Sequence, residues 1–251
     1  MITITKEKDY HGFRRIEFPL NGHNCIVVFP ENAREDKPWV YRAEFLGAFD
    51  TVDVELLNRG WHLVTYQISN LFGCPESVEL MKQFYDFIVP EFGLSPKCDI
   101  FGFSRGGLYA MNFALAYPEC VDKIYLDAPV LDVTSWPGGM GKGIGSREHE
   151  WGDCLTCYGE TEDSIFDCLA ARPVKRGDEF ASLDIPLAVI AGNADETVPY
   201  DENAMPFIND FLRAGGKLYI RVKPACGHHP HSFEDPKEIR DLCDFLTKQE
   251  A

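Results

Sequence analysis

The stretch Cys98-Asp99-Ile100-Phe101-Gly102-Phe103-Ser104-Arg105-Gly106-Gly107 decides how the rest of the chain is read. It opens as a mostly apolar, strand-favouring run and passes into the helical pattern 106–117 through a G-x-S-x-G turn. Glycines at 102 and 106 are expected to let the flanking backbones approach closely, holding the serine in a strained conformation at the N-terminus of the helix. Ser104 is therefore a candidate nucleophile. The N–H of Arg105, with the positive end of the helix dipole behind it, faces the place where an oxyanion would form, so Arg105 supplies half of an oxyanion hole.

Outward from this turn, apolar runs at 61–68, 97–103, 123–127, 186–191 and 217–222 alternate with helical patterns at 75–92, 106–117, 202–214 and 236–248. Strands separated by helices need right-handed crossovers, which predicts an α/β fold with a mostly parallel sheet and helices on both faces. Before the alternation begins, 13–19 and 24–30 flank Asn21-Gly22 and read as an antiparallel hairpin. The helix at 75–92 keeps Val78, Leu80, Met81, Phe84, Phe87 and Ile88 near one face, with Gly93 as its C-cap. Between the strand near Asp127 and the one near Ile185 lies an insertion at about 133–182, rich in glycine at 138–145 and helical over 146–172. It is expected to form a small lid within one domain spanning residues 1–251.

A serine hydroxyl needs a base to take its proton and a carboxylate to orient that base. The run Pro186-Leu-Ala-Val-Ile-Ala-Gly192-Asn193-Ala194-Asp195 places Asp195 just beyond a strand's C-terminal end, which makes it the candidate acid. The strand 217–223 ends in Pro224-Ala-Cys-Gly227-His228-His229-Pro230-His231, where the base is expected. His228, directly after Gly227, is favoured; His229 and His231 share the loop and remain open as base, loop cap or substrate contact. Asp127, at the end of Ile124-Tyr-Leu-Asp127, is a second carboxylate within reach of the same region. The second oxyanion donor is expected in the loop after 24–30, at Glu31 or Asn32.

The chain order Ser104, Asp195, His228 matches that of α/β-hydrolases, and the sequence resembles that family over nearly its whole length. Lys37-Pro-Trp39-Val-Tyr41-Arg42-Ala-Glu44-Phe45 and Gly227-His-His-Pro-His-Ser232 are similar to a group of esterase-like hydrolases whose relatives sometimes accompany carbohydrate-deacylating enzymes. The resemblance implies hydrolysis of a carboxylic ester through an acyl-enzyme, with a small ester or an acylated sugar as substrate. Trp39, Arg42 and His229 are then candidate substrate contacts, with an aromatic anchor to the core as the alternative for Trp39. The Ser104-Arg105 pair is also similar to the elbow of glucuronoyl esterases, although the rest of that elbow is missing. The Arg105 side chain either assists the oxyanion or forms a structural salt bridge.

Composition narrows the partners. Of 251 residues, 45% are hydrophobic and 25% charged, as in an ordinary globular protein. The net charge of −16, from 24 Lys+Arg against 40 Asp+Glu, repels nucleic acid and anionic lipid. No apolar run is long enough to span a membrane and Met1–Tyr10 lacks the apolar core of a signal peptide, so a cytoplasmic protein is expected. Nine scattered cysteines read as reduced thiols, and Cys154-Leu-Thr-Cys157 lacks the second ligand pair of a zinc site. No metal or organic cofactor is implied. A peptidase or amidase with the same triad and a non-catalytic ligand-binding module are the alternative functions. The sequence leaves the oligomeric state open.

Overall fold

The computed structural model describes residues 2–248. In chain order the strands are β1 Lys6–Tyr10, β2 Phe13–Leu20, β3 His23–Phe29, β4 Trp39–Arg42, β5 His62–Tyr66, β6 Cys98–Phe103, β7 Val121–Asp127, β8 Leu187–Gly192 and β9 Leu218–Lys223. The helices are α1 Thr51–Asn58, α2 Pro75–Phe92, α3 Gly106–Ala116, α4 Trp151–Tyr158, α5 Gly177–Ala181, α6 Ala204–Arg213 and α7 Pro236–Thr247. The strands form one sheet in the order β1-β2-β3-β5-β4-β6-β7-β8-β9, parallel from β5 to β9 and antiparallel from β1 to the β3–β5 pairing.

Period-two burial builds the two layers around it. Ile100, Ile124, Leu126, Leu187 and Val189 face one side, where they pack with Val78, Met81, Phe84 and Ile88 of α2, Tyr109 and Phe113 of α3, and Phe207 and Phe211 of α6. Their neighbours Phe101, Phe103, Tyr125, Ala188 and Ile190 face the other, against Val52, Leu56 and Leu57 of α1 and Leu242 and Leu246 of α7. Because both faces are covered, β6 is buried at every position, as a central parallel strand must be. The β2–β3 hairpin turns at Asn21 and Gly22, both at positive φ as a two-residue turn of this twist requires.

Three elements depart from the sequence expectation. β1 adds an antiparallel edge strand to the hairpin, α1 covers the face opposite α2, and β4 is a four-residue strand lodged between β5 and β6. The insertion is less helical than its pattern suggested: 146–172 contains α4 and short 3₁₀ turns. It packs through Trp151, Cys154, Ile165 and Ala171 onto Phe72, Leu108 and Val130, above the C-terminal ends of the strands. No helix among the described residues is long and apolar enough to cross a membrane.

Candidate active site

All parallel strands point their C-terminal ends toward the same edge of the sheet, and the loops leaving β6, β8 and β9 converge there. The turn after β6 holds Ser104 at φ 49°, a left-handed conformation that costs a non-glycine residue about 1–2 kcal/mol. Hydrogen bonds hold it in place: Ser104 N–H donates to the Asp127 carbonyl at 2.9 Å, and the Ser104 carbonyl accepts from Val130 at 2.9 Å and Gly107 at 3.0 Å. A Cβ on Gly102 would lie 2.7 Å from the Gly106 carbonyl oxygen, and one on Gly107 would lie 2.7 Å from Pro129 Cβ. The tight contacts of the turn therefore fall on Gly102 and Gly107, whereas Gly106, which was also expected to be squeezed, would make only a 3.8 Å contact.

Ser104 Oγ lies 2.9 Å from His228 Nε2, and His228 Nδ1 lies 2.7 Å from Asp195 Oδ2. The other Asp195 oxygen accepts from the backbone N–H groups of Thr197 at 2.9 Å and Val198 at 2.8 Å, so both carboxylate oxygens are engaged. The loops carrying acid and base are tied together. Ala194 N–H donates to the Cys226 carbonyl at 2.9 Å, Ala225 N–H donates to Asn193 Oδ1 at 2.7 Å, and a Cβ on Gly192 would lie 2.3 Å from the Cys226 carbonyl oxygen. Of the three histidines in this loop, the structure brings His228 to Ser104.

His231 has a different partner. Its Nδ1 lies 2.9 Å from Asp127 Oδ1, and Asp127 Oδ2 accepts from Ser232 N–H at 2.7 Å and from the Tyr125 hydroxyl at 2.6 Å. Burial alone would raise the Asp127 carboxyl, but His231, Lys223 and the Tyr125 hydroxyl together hold the group below the usual carboxylate range. Asp127 thus serves His231 rather than His228. His229 is exposed, its ring stacked 5.2 Å from that of Phe49; desolvation and the neighbouring His231 and His228 lower its pKa.

Four assignments made from the sequence need correction. Glu31 and Asn32 are not near Ser104: β3 runs antiparallel to β5, so its C-terminal loop emerges at the opposite edge of the sheet, where the Asn32 carbonyl abuts Gly60. Trp39 lies at the start of β4, fully buried, with Nε1 donating to the Ser95 carbonyl at 2.9 Å; it anchors the core rather than contacting substrate. Arg42 is also fully buried. Its guanidinium lies 3.2 Å from Asp53, donates to the Ala48 carbonyl at 2.8 Å and sits 3.6 Å from the centre of the Phe103 ring.

The loop following β4 is the one that reaches the turn. Ala43 N–H donates to the Phe101 carbonyl at 3.1 Å, and the backbone then passes Gly106 at Glu44 before Phe45, at φ 58°. The Arg105 guanidinium makes two bonds to Glu44, at 2.8 and 3.0 Å, and one to Glu150 at the start of α4, at 3.2 Å. It is a structural clamp joining this loop, the serine turn and the insertion. Sequence reading missed Glu44, Phe45 and Phe49 because β4 was not recognised; the signal available was Trp39-Val-Tyr41, three strand-favouring residues directly after Pro38. Cys154 and Cys157 lie one turn apart on α4, and burial raises the pKa of both thiols.

No protein-family model matches the sequence, and no curated protein does. Solved structures do. An S-formylglutathione hydrolase from Agrobacterium tumefaciens superposes with a TM-score of 0.64 at 16% identity, over 98% of this chain and 97% of its own. A puromycin-hydrolyzing peptidase from Mycobacterium tuberculosis gives 0.68 at 15% identity, over 92% of this chain and 38% of its own. An acylaminoacyl peptidase from Pyrococcus horikoshii gives 0.64 at 16%, over 88% and 40%. The chain thus spans well under half the length of the two peptidases. What it shares with all three is the α/β-hydrolase fold.

Proposed function

We propose that this chain of α/β-hydrolase fold is a serine hydrolase that cleaves small carboxylic esters, acylated sugars among them. The observation that carries the reading is the unbroken chain from Ser104 Oγ through His228 to Asp195, at 2.9 and 2.7 Å. In the reaction His228 Nε2 accepts the Ser104 proton as Oγ attacks the ester carbonyl, and Asp195 stabilises the imidazolium that results. The tetrahedral intermediate places its negative charge near the Arg105 N–H at the head of α3 and near the backbone of Glu44 and Phe45, which replace Glu31 and Asn32 as donors. His228 then protonates the departing alcohol, and water, activated by the same imidazole, releases the acyl group.

An ester is favoured over a peptide because one of the similar structures, aligned over 98% of this chain, is an S-formylglutathione hydrolase. Phe45, Phe49 and Ile144 expose apolar surface on the loops around the turn and the acid, with Ile144 N–H donating to the Glu196 carbonyl at 2.8 Å. They suit a small apolar acyl group, and the net charge of −16 disfavours polyanionic substrates.

The test is intact-mass labelling with a fluorophosphonate on wild type and Ser104→Ala, followed by matched nitrophenyl ester and nitroanilide amide panels. The reading expects one label on wild type, none on the variant, and ester turnover exceeding amide turnover. Folded wild type that takes up no label would remove the hydrolase reading in favour of a ligand-binding module; dominant amide turnover would make it a peptidase or amidase.

A further inference from the structure

We propose that His228, His229 and His231 form an inhibitory site for a divalent transition-metal ion of the zinc or nickel type, which captures the base before it can serve Ser104. The proposal rests on the reading of Ser104 and His228 as nucleophile and base. Each of the three imidazoles offers a ring nitrogen, and these nitrogens lie within 4.8 Å of one another. The rings meet at steep angles with centroids 4.8–4.9 Å apart, so none stacks on another.

Two of the three have the surroundings of ligating histidines. His228 Nδ1 faces Asp195 at 2.7 Å and His231 Nδ1 faces Asp127 at 2.9 Å, both carboxylates being buried. A carboxylate on Nδ1 selects the tautomer that leaves the Nε2 lone pair free, which is the usual outer support of a metal-bound imidazole. The proposed hydrolysis uses one such pair; the second, Asp127 with His231, has no part in it. Two buried carboxylates behind three imidazoles also favour a cation at their focus.

Nitrogens at 2.0–2.1 Å from a tetrahedral ion lie about 3.3 Å apart, so the cluster must contract. The ring of His229, exposed where His231 is buried, is the one with room to turn inward, giving up its stacking on Phe49. Imidazole nitrogens select zinc, nickel and copper over magnesium and calcium. Once His228 Nε2 is coordinated its lone pair cannot accept the Ser104 proton, and acylation stops. The competing ligand is Cys226, half-buried on the same loop.

The test combines calorimetric titration with Zn²⁺ and Ni²⁺ and fluorophosphonate labelling, on wild type, His229→Ala and Cys226→Ser, each labelling rate being compared with the same protein's ion-free rate. The expectation is one ion bound per chain, labelling suppressed in proportion to occupancy, Cys226→Ser indistinguishable from wild type, and Mg²⁺ without effect. His229→Ala should weaken the dissociation constant and the suppression together by about tenfold or more, a bound set by what losing even an outer-shell partner costs. Absence of stoichiometric binding, undiminished binding in His229→Ala, or loss of binding in Cys226→Ser would each overturn the site. If ion-free wild type takes up no label, the hydrolase reading fails separately, and the titrations alone still decide the metal site.

Discussion

Replacing Asp195 by Asn changes one charge and almost no volume, which isolates what the acid does for His228. Oδ1 already accepts from Thr197 and Val198 at 2.9 and 2.8 Å, so the amide oxygen of Asn takes that position and its NH₂ is turned toward His228 Nδ1, where Oδ2 now sits at 2.7 Å. Two donors cannot share that contact. The imidazole is driven into the tautomer that carries its proton on Nε2, facing Ser104 Oγ at 2.9 Å, and it donates where it should accept. The expected loss in kcat is about 10⁴-fold, or about 5 kcal/mol of transition-state stabilisation. Stability should barely respond, because both backbone N–H groups keep their acceptor. The hydrogen bonds to this side chain lose their charge assistance, a loss of about 1 kcal/mol that moves Tm by about 2–4 °C in a chain of this size. The assay is kcat on a short-chain nitrophenyl ester beside a thermal melt of the same preparation. A kcat within tenfold of wild type in a protein that melts normally would refute the role given to Asp195.

The buried Arg42–Asp53 pair makes a stability prediction: Arg42→Met keeps contact with Phe103 but leaves the carboxylate alone, and urea unfolding at pH 7 should show a loss of about 3–5 kcal/mol. Burial, offset in part by Arg42, pushes the Asp53 carboxyl up to about 6 from an ordinary 3.8. A folded value above the unfolded one gives stability that is complete below about pH 4 and lost as pH rises through about 6. Asp53→Asn lacks that loss, so the stability of the variant relative to wild type should rise by up to about 3 kcal/mol between pH 4 and 7; a difference flat across that range would sink the assignment. Gly102→Ala forces a methyl to within 2.7 Å of the Gly106 carbonyl oxygen and 2.9 Å of Ala110 Cβ. It should destabilise the protein by about 1–3 kcal/mol and slow fluorophosphonate labelling about 100-fold through displacement of Ser104, both measurable on one preparation.

Much of this protein was legible in its sequence for a local reason. The alternation of β6, β7, β8 and β9 with α2, α3 and α6 is written in periods of two and near four residues, and the parallel order follows from connections long enough to hold a helix. Ser104, Asp195 and His228 each lie just past a strand, at positions where a short-range pattern of glycine, strand and turn points to them individually. Their meeting could be anticipated because parallel strands end at a common edge. What needed tertiary structure was direction and depth. Glu31 and Asn32 also follow a strand, but β3 runs the other way, and pairing direction is settled only by the neighbouring strand. Trp39 and Arg42 read in the sequence as candidate substrate contacts, with a core anchor as the alternative for Trp39, yet both belong to a four-residue strand too short to show a period, buried between β5 and β6. Which histidine of the Gly227 loop faces Ser104 depends on Asp195 and Asp127 each claiming a ring, a choice made by side chains about 30 and 100 positions away in the chain, 33 for one pair and 104 for the other.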